Sequence, residues 1–335
     1  MKICFLVWGP FGFRADELAE QITAERINMT LLYGPRYFAP IRYLALTIRT
    51  LLVLARWDPD VVYAQNPPVF CPMAALLYCK LARRRLFIDH HSIWSIKTIG
   101  GPVGATIGFF ERFVSRSAFA NTAPHTVWGK ELNRMGGNRV LVVHDHVEKN
   151  TAERNDQLRR EYGGDGLLAI ASHGGHPLEK IEAEVKAVSM TQNVTLVITG
   201  PEEKLKHRLE YLGKLGRARY LGLLPMETYL SLKASCDFAI NITDEPYTLS
   251  HVIFEFVASS LPVISSKESV VEEIFGNDIL YVDSSEPPKV AERIELLAKN
   301  PDVLQTYRSR ANTCSSRLDK AWHKEVAILK SLLAG

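Results

Sequence analysis

The sequence predicts an α/β protein with two doubly wound domains that face each other across a cleft. Short runs rich in Val, Ile and Leu alternate with longer amphipathic segments, which is typical of parallel strands joined by crossover helices. The alternation starts again at residue 167, after a polar, glycine-containing stretch over 148–165 that favours a linker. The length of 335 residues accommodates two domains of ordinary size.

In the first half, each strand is predicted from a short apolar run, and each helix from the amphipathic segment that follows it. The first run, for example, leads into Gly9-Pro10 and is therefore expected to be a buried strand that ends at a turn. The predicted strands are 2–7, 27–33, 60–64, 85–89, 117–122 and 139–144. The predicted helices are 15–23, 40–56, 71–82, 102–116 and 124–135.

The second half repeats the same pattern and ends in a helical tail. Its predicted strands are 167–172, 193–199, 219–221, 237–242, 262–265 and 278–282, and the tail over 289–333 is predicted to be helical throughout. We therefore expect a first domain over 1–150, a second over 151–318, and a carboxyl-terminal helix over 319–335.

The cysteines and the apolar runs bear on the compartment. Five cysteines stand at scattered positions without a C-x-x-C pair, which favours a reducing compartment with neither disulfides nor a zinc site. The first apolar run is too short for a signal peptide, and no stretch reaches the about 18 consecutive apolar residues of a membrane span. The composition, 47% hydrophobic and 23% charged, is that of a globular protein, and the cysteine pattern leads us to expect it in the cytoplasm.

The net charge of +3 is unevenly distributed. Residues 1–150 carry 18 Lys and Arg against 11 Asp and Glu, whereas the rest carries 22 against 26. A basic first half suits phosphates or an anionic membrane surface. Nucleic acid is not an expected partner, because the basic run Arg83-Arg84-Arg85 is explained more simply as a helix end that leads into a strand.

Two polar clusters follow predicted strands of the first half, namely Gln65-Asn66-Pro67-Pro68 and Asp89-His90-His91. Ligands bind outside the carboxyl ends of parallel strands, so both clusters are expected at one site. A carboxylate beside two imidazoles supplies a general base and its orienting partners, which makes Asp89, His90 and His91 the candidate catalytic residues. In the alternative interpretation, the prolines only stop a strand and the histidines form a turn.

Three turns are candidates for binding a nucleotide. The turn that contains Gly12 lacks the G-x-G-x-x-G spacing of a dinucleotide site. In the second half, Ser250 to Glu255 opens a helix whose free N–H groups and dipole suit a diphosphate, and the Glu255 carboxylate can accept hydrogen bonds from a ribose. His173-Gly174-Gly175 permits close backbone approach, and Lys180 either reaches a phosphate or is a solvated surface lysine.

The sequence resembles two related groups of glycosyltransferases. The order P-D-V-V, Q-N-P-P and I-D-x-H over 59–91 is similar to cytosolic β-mannosyltransferases that extend lipid-linked chitobiose and to related bacterial enzymes. Tyr220-Leu221-Gly222, Met226-Glu227, Cys236-Asp237 and the run over 255–264 are similar to the second domain of glycosyltransferase family four. Together these motifs extend over most of the chain.

The resemblance implies a GT-B fold, with the acceptor on the first domain and a GDP- or UDP-linked sugar on the second. It also implies that Glu255 binds the ribose, that Lys180 and the amides over 250–252 bind the diphosphate, and that the turn over 222–224 binds the base. With the turns described above, the expected donor-binding residues are Gly12, His173, Gly174, Lys180, Gly222, Leu223, Tyr247, Ser250, His251, Val252 and Glu255. Neither a metal nor a further cofactor is expected.

One departure from the family bears on the mechanism. Retaining members carry a second glutamate eight residues before the position of Glu255, where this chain has Tyr247. This departure favours an inverting transfer, in which Asp89 is the expected base. Mannose is among the sugars that such an enzyme would transfer. The alternatives are a sugar-nucleotide epimerase of the same architecture and a non-catalytic partner subunit.

A membrane contact of the first domain is a further expectation. Arg42, Arg49 and Arg56 recur every seven residues along one predicted helix, and the segment 93–113 combines aromatic, glycine and basic residues. Such segments lie at bilayer interfaces, where a lipid-linked acceptor is found. A solvated edge on a buried helix explains the arginines equally well.

Overall fold

The computed structural model describes residues 1–9, 12–30, 38–91, 99–212, 216–244 and 249–335. The chain forms two compact units, one made of 1–146 with 321–335 and the other of 147–320. These divisions fall a few residues before 150 and after 318, the positions that the sequence pattern suggested.

The first unit contains a six-stranded parallel sheet in the order β2-β1-β3-β4-β5-β6. The strands are β1 Ile3–Val7, β2 Glu25–Asn28, β3 Val61–Asn66, β4 Arg85–His90, β5 Ala120–Ala123 and β6 Val140–Val142. The helices are α1 Phe13–Gln21, α2 Ala39–Trp57, α3 Phe70–Ala82, α4 Gly101–Ser117 and α5 Thr126–Arg134.

Both faces of this sheet are covered, which explains why its central strands are apolar along their whole length. Neighbouring strand residues point to opposite faces. Phe5 and Tyr63 pack with α1 and the end of the last helix, whereas Leu6, Val62 and Ile88 pack with α2, α3 and α4. The first unit therefore has two distinct outer surfaces, one above each set of helices.

The second unit repeats this architecture with the strand order β12-β11-β10-β7-β8-β9, again parallel. The strands are β7 Leu167–Ser172, β8 Val194–Thr199, β9 Ala218–Gly222, β10 Phe238–Asn241, β11 Val263–Ser266 and β12 Leu280–Val282. The helices are α6 Asp156–Gly163, α7 Ile181–Ser189, α8 Glu202–Leu212, α9 Met226–Ser235, α10 His251–Ala258, α11 Ser269–Phe275, α12 Pro287–Lys299 and α13 Pro301–Ala334.

The predicted α/β class with two doubly wound sheets is confirmed, but three local predictions differ from the structure. The presumed linker contains α6, because Asn155 Oδ1 accepts the N–H groups of Gln157 and Leu158 and caps this short polar helix. The tail is two helices, which separate at Asn300 and Pro301. The strand predicted over 27–33 ends at Asn28, and its continuation over 31–33 lies outside the described residues.

Two further expectations concern membranes and disulfides. No helix in the described part of the chain has both the length and the apolar character that crossing a bilayer requires. All five cysteines are buried thiols without a disulfide.

Candidate functional site

Asp89, near the carboxyl end of β4, is completely buried and is bonded through both carboxylate oxygens. Arg14 of α1 donates Nη2 to Oδ1 at 2.8 Å and Nε to Oδ2 at 3.1 Å, and the Thr122 hydroxyl donates to Oδ1 at 2.9 Å. Arg14 Nη1 also donates to Asp145 at 2.8 Å. We therefore correct the assignment of Asp89: it is the anion of a buried ion-pair cluster, where an acceptor hydroxyl cannot reach it.

His90 is also completely buried, and its hydrogen bonds define a neutral ring. Asn121 uses its Nδ2 to donate to two carbonyl groups, so its Oδ1 accepts from His90 Nε2 at 2.9 Å. On the other side of the ring, Asn66 Nδ2 donates to Nδ1 at 3.1 Å. Burial lowers the pKa of His90 to about 4. The ring is a structural bridge between strands, which corrects its predicted catalytic role.

Asn66 also connects this ring to a buried carboxyl group on α4. Its Nδ2 donates to Glu111 Oε2 at 2.6 Å, and burial raises the pKa of Glu111 to about 7. Asn66 Oδ1 and Glu111 Oε1 are buried without a hydrogen-bond partner. Asn66 thus belongs to an internal network, and its amide does not face a ligand as the Q-N-P-P motif suggested.

His91 is the one predicted catalytic residue that is exposed. Its backbone N–H donates to the carbonyl of Asn66 at 2.9 Å, which fixes it beside the end of β3. The carboxyl edge of the same sheet also holds a cavity of about 270 Å³. The residues that line it follow β1, β2 and β3 or belong to α2: Trp8, Gly9, Met29, Thr30, Arg42, Tyr43, Leu46, Pro67 and Pro68.

In the second unit, Glu255 of α10 is held by two side chains of α9. Tyr229 donates its hydroxyl to Glu255 Oε2 at 2.8 Å, and Lys233 donates Nζ to the same oxygen at 3.0 Å. The Glu255 side chain is 13% exposed, whereas that of Lys233 is 3% exposed. Burial lowers the pKa of Lys233, although the charge of Glu255 opposes this change. Tyr229 and Lys233 thus fix the orientation of the Glu255 carboxylate, which remains partly exposed to solvent.

A hydrogen-bond chain connects Glu255 to the carboxyl ends of two strands. Ser172, the last residue of β7, lies with its Oγ 3.0 Å from the Tyr229 hydroxyl. Thr199, the last residue of β8, donates to Ser172 Oγ at 2.9 Å. Glu255 therefore lies at the ligand-binding edge of the sheet, where the sequence predicted it.

Lys180 precedes α7 and is paired across the same edge with Asp244, which follows β10. Lys180 Nζ lies 2.6 Å from Asp244 Oδ2, and its backbone N–H donates to the carbonyl of Ile242 at 2.9 Å. The side chains are 34% and 41% exposed, respectively. The structure thus brings Lys180 to the loop that leads into α10, the helix of Ser250, His251 and Val252. Ser250 stands at the N-cap position without a capping hydrogen bond from its side chain.

His173, by contrast, is buried between carboxylates. Its Nε2 lies 2.8 Å from Glu184 Oε2, and its Nδ1 lies 3.5 Å from Glu179 Oε2 without hydrogen-bond geometry. Burial alone would lower the pKa of His173, but the two carboxylates outweigh it and raise the pKa to about 9. A charged ring in this position stabilises the loop and does not contact a donor, which corrects its predicted role.

The glycine turn that follows is also occupied by a carboxylate. The N–H groups of Gly174, Gly175 and His176 donate to Glu179 at 2.8, 2.9 and 3.0 Å. Three convergent N–H groups form an anion-binding concavity. Because Glu179 already fills it, the amide of Gly174 is not available to a phosphate in this conformation.

The remaining predicted residues divide between the two units. Gly222 ends β9 with φ +73°, a backbone conformation that favours glycine, and Leu223 beside it is 75% exposed. Gly12 is the N-cap residue of α1 in the first unit. Tyr247 lies outside the described residues.

Sequence reasoning missed the residues that orient Glu255. Tyr229 and Lys233 are four positions apart on α9, and Lys233 Nζ lies 4.2 Å from the centroid of the Tyr229 ring. This spacing places both side chains on one face of the helix, which is the signal that the sequence offered.

Within the described ranges, no group of three or more His, Cys, Asp or Glu side chains could hold a metal ion.

Comparison with known families assigns both units. The family described as a glycosyl transferase 4-like domain matches residues 4–145, and the family described as glycosyl transferases group 1 matches residues 178–313. Sulfoquinovosyl transferase SQD2 from Arabidopsis thaliana is 25% identical over 257 residues, which are 70% of this chain and 48% of that protein. The chain thus spans about half the length of this relative.

Solved structures share the whole fold. Anabaena Alr3699/HepE in complex with UDP-glucose has a TM-score of 0.76 at 14% identity and covers 99% of each chain. Sucrose-phosphate synthase from Thermosynechococcus elongatus has a TM-score of 0.80 at 13% identity, covering 100% of this chain and 98% of that one. At such identities the likeness establishes the fold, which is GT-B. Since the two family matches together extend over most of this fold, the chain belongs to the GT-B glycosyltransferases, with a glycosyl transferase 4-like first unit and a group 1 second unit.

Proposed function

We propose that this glycosyltransferase moves a hexose from a nucleoside diphosphate donor, bound by the second unit, to a lipid-linked or polysaccharide acceptor, bound by the first. Mannose is the sugar that the resemblance to β-mannosyltransferases favours. The proposal includes a peripheral contact of the first unit with a membrane. It requires neither a metal nor a further cofactor.

The observation that carries the proposal is the arrangement around Glu255. Its carboxylate is oriented by Tyr229 and Lys233 at the carboxyl edge of the sheet and is still 13% exposed. A carboxylate held in this way accepts hydrogen bonds from two vicinal hydroxyl groups, such as those of a ribose. A structural relative, Anabaena Alr3699/HepE, was solved with UDP and with UDP-glucose, which supports a nucleotide sugar as the donor here.

Lys180 and the start of α10 are the proposed partners of the diphosphate. The lysine is 34% exposed, and its pairing with Asp244 holds it beside the loop that leads into the helix. Backbone N–H groups at the amino terminus of a helix stabilise an anion, and a nearby ammonium adds to this. The leaving nucleoside diphosphate would gain negative charge during transfer, so these groups would stabilise it without a metal.

For the transfer itself, we propose an inverting displacement with His91 as the base in place of Asp89. The acceptor oxygen forms a bond to the anomeric carbon while the bond to the diphosphate breaks, and the diphosphate leaves with the electron pair. The hydroxyl proton passes to the imidazole of His91, which is exposed at the edge of the sheet. His91→Asn should then abolish transfer and leave donor affinity unchanged.

Calorimetric titration with GDP-mannose, UDP-glucose, UDP-GlcNAc and UDP-glucuronic acid tests the donor site. We expect one donor to bind, and Glu255→Ala to weaken it by about tenfold or more, since a hydrogen bond to a charged group contributes about 1.5–3 kcal/mol. Glu292→Ala is the matched control, because this side chain is 63% exposed on α12. Equal loss in both variants, or tight binding to Glu255→Ala, would contradict the proposed ribose contact.

Acceptor dependence separates the transferase from the two alternatives. A transferase consumes the bound donor only when an acceptor is present, whereas an epimerase converts it without any second substrate. A non-catalytic subunit binds the donor and turns it over in neither case. Conversion of the sugar nucleotide in the absence of acceptor would therefore replace the present proposal with the epimerase.

A further inference from the structure

We propose that α2, α3 and α4 present a surface that binds an anionic phospholipid bilayer. Only the role of this membrane contact, which is to bring the first unit to a lipid-linked acceptor, rests on the proposed function. The surface itself, named here the apolar-basic face, consists of the outward side chains of these three helices. They cover the same face of the sheet through a shared core that includes Leu6 and Ile88.

The apolar-basic face exposes an unusual number of large apolar side chains. Of the sixteen such side chains that are exposed in the described part of the chain, nine belong to these three helices. They are Ile41, Leu44, Ile48, Leu52, Leu77, Leu81, Val103, Phe109 and Phe113. Leu52, Leu81 and Phe109 are 67%, 77% and 65% exposed. Apolar side chains gathered on one surface indicate an interaction site, since soluble monomers rarely expose large contiguous patches.

The charges on the same helices are of one sign. Arg49, Arg56, Lys80 and Arg112 are exposed among the apolar residues. Within these three helices, all of whose residues the structure describes, the single acidic side chain is Glu111, and it is buried. Interspersed cations and large apolar side chains favour the boundary between anionic headgroups and acyl chains, because the cations reach the phosphates while the apolar groups enter the hydrocarbon.

The opposite face of the sheet has a different character. Its helix α1 carries Asp16, Glu17 and Glu20, and the part of α13 in this unit carries Lys324, Glu325 and Lys330, so cations and carboxylates are mixed there. Among their described residues, the exposed large apolar side chains are Phe13 and Ile328. Among the described residues of α1, α13 and the apolar-basic face, cations without exposed carboxylates and large exposed apolar side chains therefore coincide only on the apolar-basic face.

The apolar-basic face is continuous with the cavity at the carboxyl edge. Arg42, Tyr43 and Leu46 of α2 line this cavity, whereas Ile41 and Leu44 of the same turns point outward. Aromatic rings continue from the cavity to α4, because the ring centroid of Tyr43 lies 4.7 Å from that of Phe70 on α3, which in turn lies 6.2 Å from that of Phe110 on α4. A bilayer on this face would therefore hold the headgroup of a lipid-linked acceptor next to the cavity.

Co-sedimentation of the full chain with vesicles tests the proposal. We expect binding to phosphatidylcholine mixed with phosphatidylglycerol to be at least about tenfold stronger than binding to phosphatidylcholine alone. The double variant Arg49→Glu with Arg112→Glu should lose this binding by about tenfold or more. The apolar pair Leu52→Ser with Phe109→Ser should lose it as well, although its charge is unchanged.

The matched control is Lys130→Glu with Lys324→Glu, which changes the net charge equally at exposed positions of the same unit but off these helices. Its vesicle binding should equal that of the original chain. Equal losses in both charge variants, or no binding to either vesicle, would overturn the proposal. The proposal would also be overturned if analytical ultracentrifugation showed a dimer that Arg49→Glu with Arg112→Glu abolishes, because the face would then be an interface between two copies of the chain. Donor titration on the same samples reports the second unit, so a failure of donor binding is distinguished from a failure of membrane binding.

Discussion

Two buried histidines at the carboxyl ends of strands differ in charge: His90 in the first unit is neutral, whereas His173 in the second unit is protonated. His90 lies between the amides of Asn66 and Asn121, and burial lowers its pKa to about 4. His173 lies beside Glu184 and Glu179, whose charges outweigh burial and raise its pKa to about 9. The comparison shows that the partners, and not the residue type or its place after a strand, determine the charge at this edge.

The largest effect is expected from removing the anion that holds His173. Glu184→Gln leaves a buried ring without its closest carboxylate, and breaking a buried pair by removing one partner costs about 3–5 kcal/mol. The pKa of His173 should fall toward that of His90. Urea unfolding at neutral pH, followed by far-UV circular dichroism, measures the loss.

Glu182→Gln is the control for this variant. Glu182 lies on the same helix and pairs with Arg208, but it is 40% exposed. An exposed pair contributes about 0–1 kcal/mol, so the control should unfold close to the original chain. Comparable losses in both variants would contradict a special role of the buried pair.

The next largest effect is on the pH dependence of stability, which should have opposite signs in the two units. The folded pKa of His173 lies above its unfolded value of 6.5, so its stabilisation is complete below pH 6.5 and is lost as the pH rises toward 9. The folded pKa of His90 lies below 6.5, so its stabilisation is complete above pH 6.5 and is lost as the pH falls toward 4. Each change amounts to about 3 kcal/mol.

Tryptophan fluorescence separates the units in this experiment. All five tryptophans belong to the sequence ranges of the first unit, so their fluorescence follows that unit alone, whereas circular dichroism follows both. We expect the transition seen only by circular dichroism to weaken between pH 6.5 and 9. An unchanged transition there would mean that His173 is neutral.

A third prediction concerns Glu111, whose effect on the pH dependence of stability in the first unit is opposite in sign to that of His90. Its folded pKa of about 7 lies above the unfolded 4.5, so the fully protonated group stabilises the fold below pH 4.5 and this stabilisation is lost as the pH rises toward 7. Between pH 4.5 and 6.5 the two groups nearly cancel. Glu111→Gln should therefore show the pH dependence of stability that His90 alone causes. Its free energy of unfolding should exceed that of the original chain by up to about 3 kcal/mol between pH 4.5 and 8.

The matched variant for Glu111 is Glu131→Gln on α5, where the carboxylate pairs with an arginine that is 76% exposed. Its fluorescence-detected stability should follow the original chain at every pH. If Glu111→Gln also follows the original chain, the buried carboxyl group has an ordinary pKa.

The same contrast explains how much of the molecule the sequence could predict. The order of strands and helices follows from local apolar patterns, and so does the placement of Glu255 and Lys180 at the carboxyl edge. The burial of Asp89 could not be predicted, because it depends on Arg14, which is 75 residues away and reaches it only in the folded sheet. Likewise, Asp89-His90-His91 is one motif in sequence, but Asp89 and His90 end a strand that is buried on both faces and His91 follows it, so only His91 meets solvent.

The smallest change in a pKa is expected from making the surroundings of His90 resemble those of His173. Asn121→Asp places a carboxylate where Oδ1 now lies 2.9 Å from Nε2, and an opposite charge at this distance raises the pKa of an imidazole by roughly 1–3 units. Fold stability should fall as well, because a carboxylate oxygen replaces the Nδ2 group that donates to the carbonyls of Ser115 and Asn138, so the pKa of His90 is the quantity that tests the comparison. Nuclear magnetic resonance titration of ¹³C-labelled histidine measures the pKa. Asn138→Asp, an exposed change beside the same strands, should leave the His90 resonance where it was, and a pKa of His90 that stays near 4 in Asn121→Asp would show that burial, and not its neighbour, determines the charge.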